Sequence, residues 1–196
     1  MCKRFPGYLD RGEIVQPSID RYQLIRGDLS GRRREIRPPW SIGGEGRFIE
    51  LCNRCGECIK VCPTGIIKSG SGGFPAVDFK RDHCTFCGDC VKRCEPKALA
   101  FAEDPATPPW SLGIEIDASC LSLNGVVCRS CGDICEERAI RFRLQTGGRS
   151  QPRLDLSLCS GCGACVAVCP SHSITVLPTV NDRAASSQNR EEIANP

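Results

Sequence analysis

Apolar and polar positions alternate along this chain only in short stretches, at residues 74–79, 98–102, 114–116, 139–144, 153–156 and 173–177. Alternation over so few residues predicts short β-strands. The stretches flank four dense runs of cysteine, so they read as strands bracketing cysteine-rich loops. Residues 156–181 carry no Asp, Glu, Lys or Arg. They do contain four Cys, two Gly and two Pro, which argues against a membrane span. A repeat organises the pattern: Pro-Pro-Trp-Ser occurs at 38–41 and again at 108–111, and each copy precedes two cysteine runs. Two tandem modules follow from this, at residues 38–104 and 105–179. A basic leader (1–37) precedes them, expected to be largely flexible, and a disordered polar tail (180–196) follows.

Composition sharpens this picture. A chain of 196 residues suggests one or two small domains. Its hydrophobic share of 40% counts 17 cysteines; without them it falls to about 31%, below the usual apolar content of a globular domain. So thin a core needs disulfides or metal to complete it. Residues 1–37 are charged every few positions and contain no apolar segment of the kind an export signal requires. The expected location is therefore the cytoplasm, where dense cysteine means metal binding rather than disulfides.

The spacing of the runs names the metal. Cys52, Cys55, Cys58 and Cys62, followed by Pro63, match the CxxCxxCxxxCP pattern of [4Fe–4S] ligation. Cys159, Cys162, Cys165 and Cys169, followed by Pro170, repeat it in full, and Cys84, Cys87, Cys90 and Cys94 keep its spacing. Three thiolates two residues apart converge from one loop on three iron corners, and the fourth corner is served from elsewhere. In two-cluster ferredoxins the last Cys of each run serves the other cluster. The expected sets are Cys52, Cys55, Cys58 with Cys94; Cys84, Cys87, Cys90 with Cys62; Cys120, Cys128, Cys131 with Cys169; and Cys159, Cys162, Cys165 with Cys135.

The third run is irregular, because seven residues separate Cys120 from Cys128. Either five extra residues bulge out as a loop, at little cost in closure entropy, and Cys120 remains a ligand, or Cys120 is an ordinary buried thiol. Zinc is the rival metal, but zinc ribbons separate their cysteine pairs by a dozen or more residues. Cys2 stands outside every run as a spare thiol. His83 and His172 each adjoin a run, where a Rieske-type ligand role is the rival reading, but with four Cys already available both are expected to be hydrogen-bonding or solvated neighbours; Trp40 and Trp110 are expected to pack against their modules.

Net charge is +3 before the cofactor is counted. Four clusters with their thiolates contribute about −2 each, leaving the loaded protein near −5. The apparent basicity thus gives no support for nucleic-acid binding, and no nucleic-acid partner is expected. The basic excess is concentrated in the leader, with ten Lys or Arg against six Asp or Glu in residues 1–48, a candidate docking segment.

The leader running into Ile36-Arg37-Pro38-Pro39-Trp40-Ser41, the segment from Gly72 to Lys80, the wide third run opening at Ala118-Ser119-Cys120-Leu121, and Cys159-Ser160-Gly161-Cys162-Gly163-Ala164-Cys165 together resemble the NapF family of ferredoxin-type proteins. These are accessory proteins of the periplasmic nitrate reductase system, and the resemblance covers residues 30–178. It implies an α+β fold of two bacterial-type 2[4Fe–4S] ferredoxin modules. It also implies a cytoplasmic role, without enzymatic activity, in maturing the molybdenum catalytic subunit before export, by cluster insertion or reduction with the help of a redox donor. A general polyferredoxin electron carrier is the alternative. An enzyme using a cluster catalytically would need a nucleotide or flavin fingerprint or a substrate domain, and the sequence has none of these.

Overall fold

Among the described residues, three short antiparallel sheets and five short helices carry the cysteine loops. The computed structural model describes residues 35–104, 107–145 and 150–179, all within one unit, Glu35–Pro196. Cys2, most of the leader and the tail lie outside the described residues.

The first half contains α1 (Gly44–Leu51), α2 (Glu57–Val61), β1 (Ile67–Ser69), β2 (Pro75–Val77) and α3 (Asp89–Lys92). The second contains β3 (Leu112–Ile116), α4 (Ser130–Asp133), β4 (Ile140–Leu144), β5 (Ser150–Leu154), α5 (Ala164–Ala167) and β6 (Ile174–Pro178). In each half a hairpin lies between the two cysteine runs: β1 with β2, from Ile67↔Val77 to Ser69↔Pro75, and β4 with β5, from Ile140↔Leu154 to Leu144↔Ser150. The segments outside the runs also pair with each other. In the second half this pairing is the five-residue ladder of β3 and β6, from Leu112↔Pro178 to Ile116↔Ile174. In the first it shrinks to the single bridge Ser41↔Leu99.

That contrast corrects one expectation, since residues 98–102 form no strand. The Pro-Pro-Trp-Ser copies explain why. After the second copy comes Leu112-Gly113-Ile114-Glu115-Ile116, which runs on as β3. After the first comes Ile42-Gly43-Gly44, where both glycines take left-handed φ (67° and 75°) and turn the chain into α1. On the other side of Ser41, Trp40 itself has φ 60°, and Pro38 and Pro39 have no N–H to extend a ladder. Only the bonds from Ile42 N to Ala98 O (3.1 Å) and from Ala100 N to Trp40 O (3.0 Å) remain. The other expected stretches coincide with or overlap β2 to β6. β1 was not foreseen.

The core is as small as the composition suggested. Phe48 on α1 packs with Ile66, Ile67, Phe79, Val91, Ala98, Leu99 and Leu112 in one cluster, and Ile114, Ile140 and Ile174 form a second. Cysteines are full members of both: Cys90 in the first, and Cys131, Cys165 and Cys169 in the second.

Residues 35–37, counted with the leader from sequence, are held against the first half. Ile36 bridges Val77. Arg37, its side chain only 8% exposed, forks onto Glu45 (Nε–Oε2 2.9 Å, Nη2–Oε1 2.6 Å) and donates to the Pro75 carbonyl at 2.9 Å.

Candidate cluster-binding sites

One backbone motif recurs around the cysteine runs. The residue after the second cysteine is Gly56, Gly88 or Gly163, each left-handed (φ 76°, 74° and 83°), and each receives the first amide bond of a one-turn helix carrying the third cysteine: Ile59 N to Gly56 O, Val91 N to Gly88 O and Val166 N to Gly163 O, all 3.0 Å. A left-handed turn here reverses the chain within two residues, which suits glycine. The third run substitutes Arg129, with φ −136°, and keeps the helical bond from Gly132 N to Arg129 O at 2.9 Å. Its guanidinium lies over Phe142, 5.6 Å from the ring centre.

A second turn follows the fourth cysteine of every run. The third residue beyond it, Gly65, Lys97, Arg138 or His172, has φ between 50° and 62°, and its amide donates to the carbonyl of Cys62, Cys94, Cys135 or Cys169 at 3.1–3.3 Å. His172 is therefore a turn residue. His83 pairs with Asp82 (Nδ1–Oδ1 2.8 Å).

These loops bring cysteines together across runs. Cys52, Cys55, Cys58 and Cys94 line one pocket, walled by Phe48, Pro75, Pro96 and Leu99. Cys120, Cys128, Cys131 and Cys169 line another, walled by Ile116, Leu121, Phe142, Pro170 and Ile174. Each pocket joins three cysteines of one run to the last cysteine of the next. Cys120 is thus in place despite its wide gap. The extra residues close a helix-like turn, in which the Asn124 amide donates to the Cys120 carbonyl (3.2 Å) and Asn124 Nδ2 donates to the carbonyls of Ala118 (2.7 Å) and Cys120 (2.9 Å). Ser122 Oγ ties the turn to the Ser150 carbonyl.

The acidity of the thiols marks the same neighbourhoods. Burial, and then repulsion from Cys52, Cys55 and Cys94, pushes Cys58 up to about 11. Burial with Cys120, Cys169 and Cys128 does the same to Cys131, also about 11. Cys90, buried beside Cys84, rises to about 12. Cys165, buried beside Cys162, Cys159, Cys131 and Cys135, also rises to about 12. Cys84 rises to about 11, through burial and then, among the charges around it, Cys62, Cys87 and Cys162. Burial likewise raises Cys159, which has Cys162 and Cys135 beside it.

Cys62 and Cys169 move the other way. Burial raises both, but at Cys62 it is outweighed by the Thr64 hydroxyl and the amides of 65–67, and at Cys169 by the hydroxyls and amides of Ser173 and Ser171. Ser173 Oγ lies 3.4 Å from Cys169 Sγ. Backbone amides also point at sulfur, from Phe86 to Cys84 (3.4 Å) and from Leu99 to Cys94 (3.3 Å). Such donors stabilise thiolate charge and tune a bound cluster. Sequence reasoning missed Thr64, Ser171, Ser173 and Asn124. The only local signal was a hydroxyl two residues beyond Cys62 and Cys169.

The donors fit a [4Fe–4S] cubane: they are soft thiolates, and four of them line each of the two pockets.

The 4Fe–4S dicluster domain is matched twice, over residues 51–99 and again over 126–173. The protein is accordingly a ferredoxin-type iron–sulfur protein of two tandem dicluster modules, holding four [4Fe–4S] clusters. The chain is 45% identical over 154 residues to the ferredoxin-type protein NapF of Escherichia coli, covering 76% of this chain and 92% of that protein. It is 47% identical over 169 residues to the NapF of Haemophilus influenzae, covering 81% and 94%. A more distant likeness, 32% over 165 residues, covering 73% of this chain and 70% of the relative, is to the ferredoxin-type protein NapG of Escherichia coli. The chain belongs to the NapF family. The second domain match begins after Cys120, whose place beside Cys128, Cys131 and Cys169 rests on the pocket they line.

Proposed function

We propose that the four cysteine sets hold the clusters crosswise, Cys94 completing the first, Cys62 the second, Cys169 the third and Cys135 the fourth, in modules spanning residues 38–104 and 105–179. The assembled pockets of the first and third sets carry this reading, together with the mutual repulsion of thiols in the other two. Each bound cluster supplies one-electron chemistry. The chain's own residues exclude water with Phe48, Leu99, Phe142 and Ile174 and aim amides and hydroxyls at the sulfurs. Four cysteines line each described pocket, beside apolar side chains and a few polar ones such as Arg54, Arg93 and Ser173, and this cysteine-dominated lining supports a protein that acts on clusters or electrons.

The biological role follows from family membership. The protein works in the cytoplasm on the precursor of the molybdenum catalytic subunit of periplasmic nitrate reductase, supplying clusters or electrons for its maturation before export. Among the described residues no helix is long and apolar enough to cross a membrane. Capture of the catalytic-subunit precursor from a cytoplasmic extract by the loaded protein, with failure of nitrate reductase assembly when the chain is deleted, is the expected result. Normal assembly in the deletion strain would refute the maturation role and leave a general electron carrier. Replacing Arg32, Arg33 and Arg34 tests the leader as the docking segment, and undiminished capture would refute that assignment.

A further inference from the structure

The two modules meet through the loops of the second and fourth cysteine runs. The Cys84 amide donates to the Cys162 carbonyl at 2.9 Å. Beside this bond the Phe79 ring fills the space over Gly163, where a Cβ would stand 2.1 Å from Phe79 Cδ1. Trp110 touches Phe79 and Phe86 edge-on, with ring centres 5.7 and 5.9 Å apart, and its Nε1 donates to the Ser160 carbonyl at 3.0 Å. Phe86 and Ser160 belong to the same two cysteine loops.

We propose that the Cys84–Cys162 backbone bond, clamped by Phe79 over Gly163 and by Trp110 against Phe86, is a positioning junction that makes the second and fourth sets neighbours across the modules. This rests on the crosswise ligand sets proposed above. Within a module, exchange of the fourth cysteine keeps its two sets adjacent, as α2 shows by carrying Cys58 of the first set and ending at Cys62 of the second. The four sets then stand as one array in the order first, second, fourth, third. A chain of two unconnected ferredoxins would have no such inner pair. The Trp110 and Phe86 rings lie in the seam between modules and exclude water from it, which holds the inner pair at one separation.

The experiment uses the full-length loaded protein, reduced completely with a low-potential one-electron reductant, and reads magnetic coupling between clusters by electron paramagnetic resonance. In a Cys52→Ala, Cys55→Ala variant the first cluster is lost. An array predicts that the second cluster remains coupled, to the fourth, and that no isolated, unsplit signal appears. An isolated signal in a variant that has lost the iron of one cluster would overturn the junction. Iron loss other than one cluster would overturn the ligand sets instead.

Gly163→Ala and Gly56→Ala form a second, independent pair. Both impose the same left-handed backbone on alanine, but at Gly56 nothing lies within 4 Å of the added Cβ. A change in coupling in Gly163→Ala beyond any seen in Gly56→Ala is expected, compared at the iron content measured for each variant. Identical spectra in the two variants would overturn the proposal.

Discussion

Replacing Arg37 by Ala should destabilise the protein by about 2–4 kcal/mol, although the residue belongs to a stretch whose sequence reads as a charged leader. The guanidinium makes a two-point fork onto Glu45, a bond to the Pro75 carbonyl and an ion pair with Glu35 at 3.3 Å. It also lies 5.5 Å from the Phe48 ring centre and 5.8 Å from that of Phe74. Removing one partner of a buried ion pair costs about 3–5 kcal/mol. Here Glu45 is 48% exposed and Glu35 26%, so water recovers part of the loss. Arg37→Lys should recover only a fraction, because an ammonium cannot reproduce the fork. Thermal unfolding of the loaded protein, followed by loss of visible cluster absorbance at one scan rate, should shift down by on the order of 10 °C for Arg37→Ala. Arg141→Ala is the control: Arg141 is exposed and faces Arg153 directly across the β4–β5 ladder, and like charges so placed repel, so its loss should leave the midpoint unchanged or slightly raised. If Arg37→Ala melts within a degree or two of the wild type, the clamp is not structural and the reasoning fails.

Cys120→Ser should lose the iron of one cluster, and retention of the full complement would show that Cys120 is an ordinary thiol. Asn124→Ala should keep that cluster but shorten its lifetime under an iron chelator, by freeing the turn that presents Cys120; an unchanged lifetime would count against the turn's role. Ser173→Ala, at a hydroxyl 3.4 Å from Cys169 Sγ, should lower the potential of the third cluster in a redox titration, since a donor to sulfur favours the reduced, more negative state, and an unmoved potential would refute that donor's part. Without clusters, the thiols of Cys58, Cys90, Cys131 and Cys165 stand at about 11–12 in the fold, above the roughly 8.5 of an unfolded chain. Folding therefore favours the neutral thiol, and the stability this contributes is complete below about pH 8.5 and lost as pH rises towards 11. The apoprotein's anaerobic melting temperature should fall across that window while the loaded protein, whose thiolates are already bound, stays level. A flat apoprotein profile would contradict the burial argument.

How far the sequence reaches can be judged residue by residue. The runs at 52–62, 84–94 and 159–169 declare their chemistry because three corners of a cubane are served from a single loop, and a loop's geometry depends only on residues next to one another. The repeated Pro-Pro-Trp-Ser likewise announces two modules. The strands at 139–144 and 173–177 were legible from alternation. Residues 98–102 were not, because their partner lies at 40–42, flanked by Pro38-Pro39 on one side and the left-handed Gly43 and Gly44 on the other, which curtail the pairing. The left-handed Lys97, Arg138 and His172 carry no glycine to mark their turns.

What only the tertiary structure decided involves groups far apart in the chain. Cys94 joins the pocket of the first set and Cys169 that of the third, because each half folds back until its two runs face one another. Arg37 is a clamp because Glu45 and Pro75 converge on it. Trp40 and Trp110 sit at the seam, with the Trp40 amide donating to the Pro109 carbonyl at 2.7 Å, and so bind the modules to each other as well as packing within them. Spacing is a local property and can be read directly from sequence. Facing, clamping and adjacency depend on which surfaces are buried together, and the thin apolar core leaves those choices to a few side chains that no local pattern singles out.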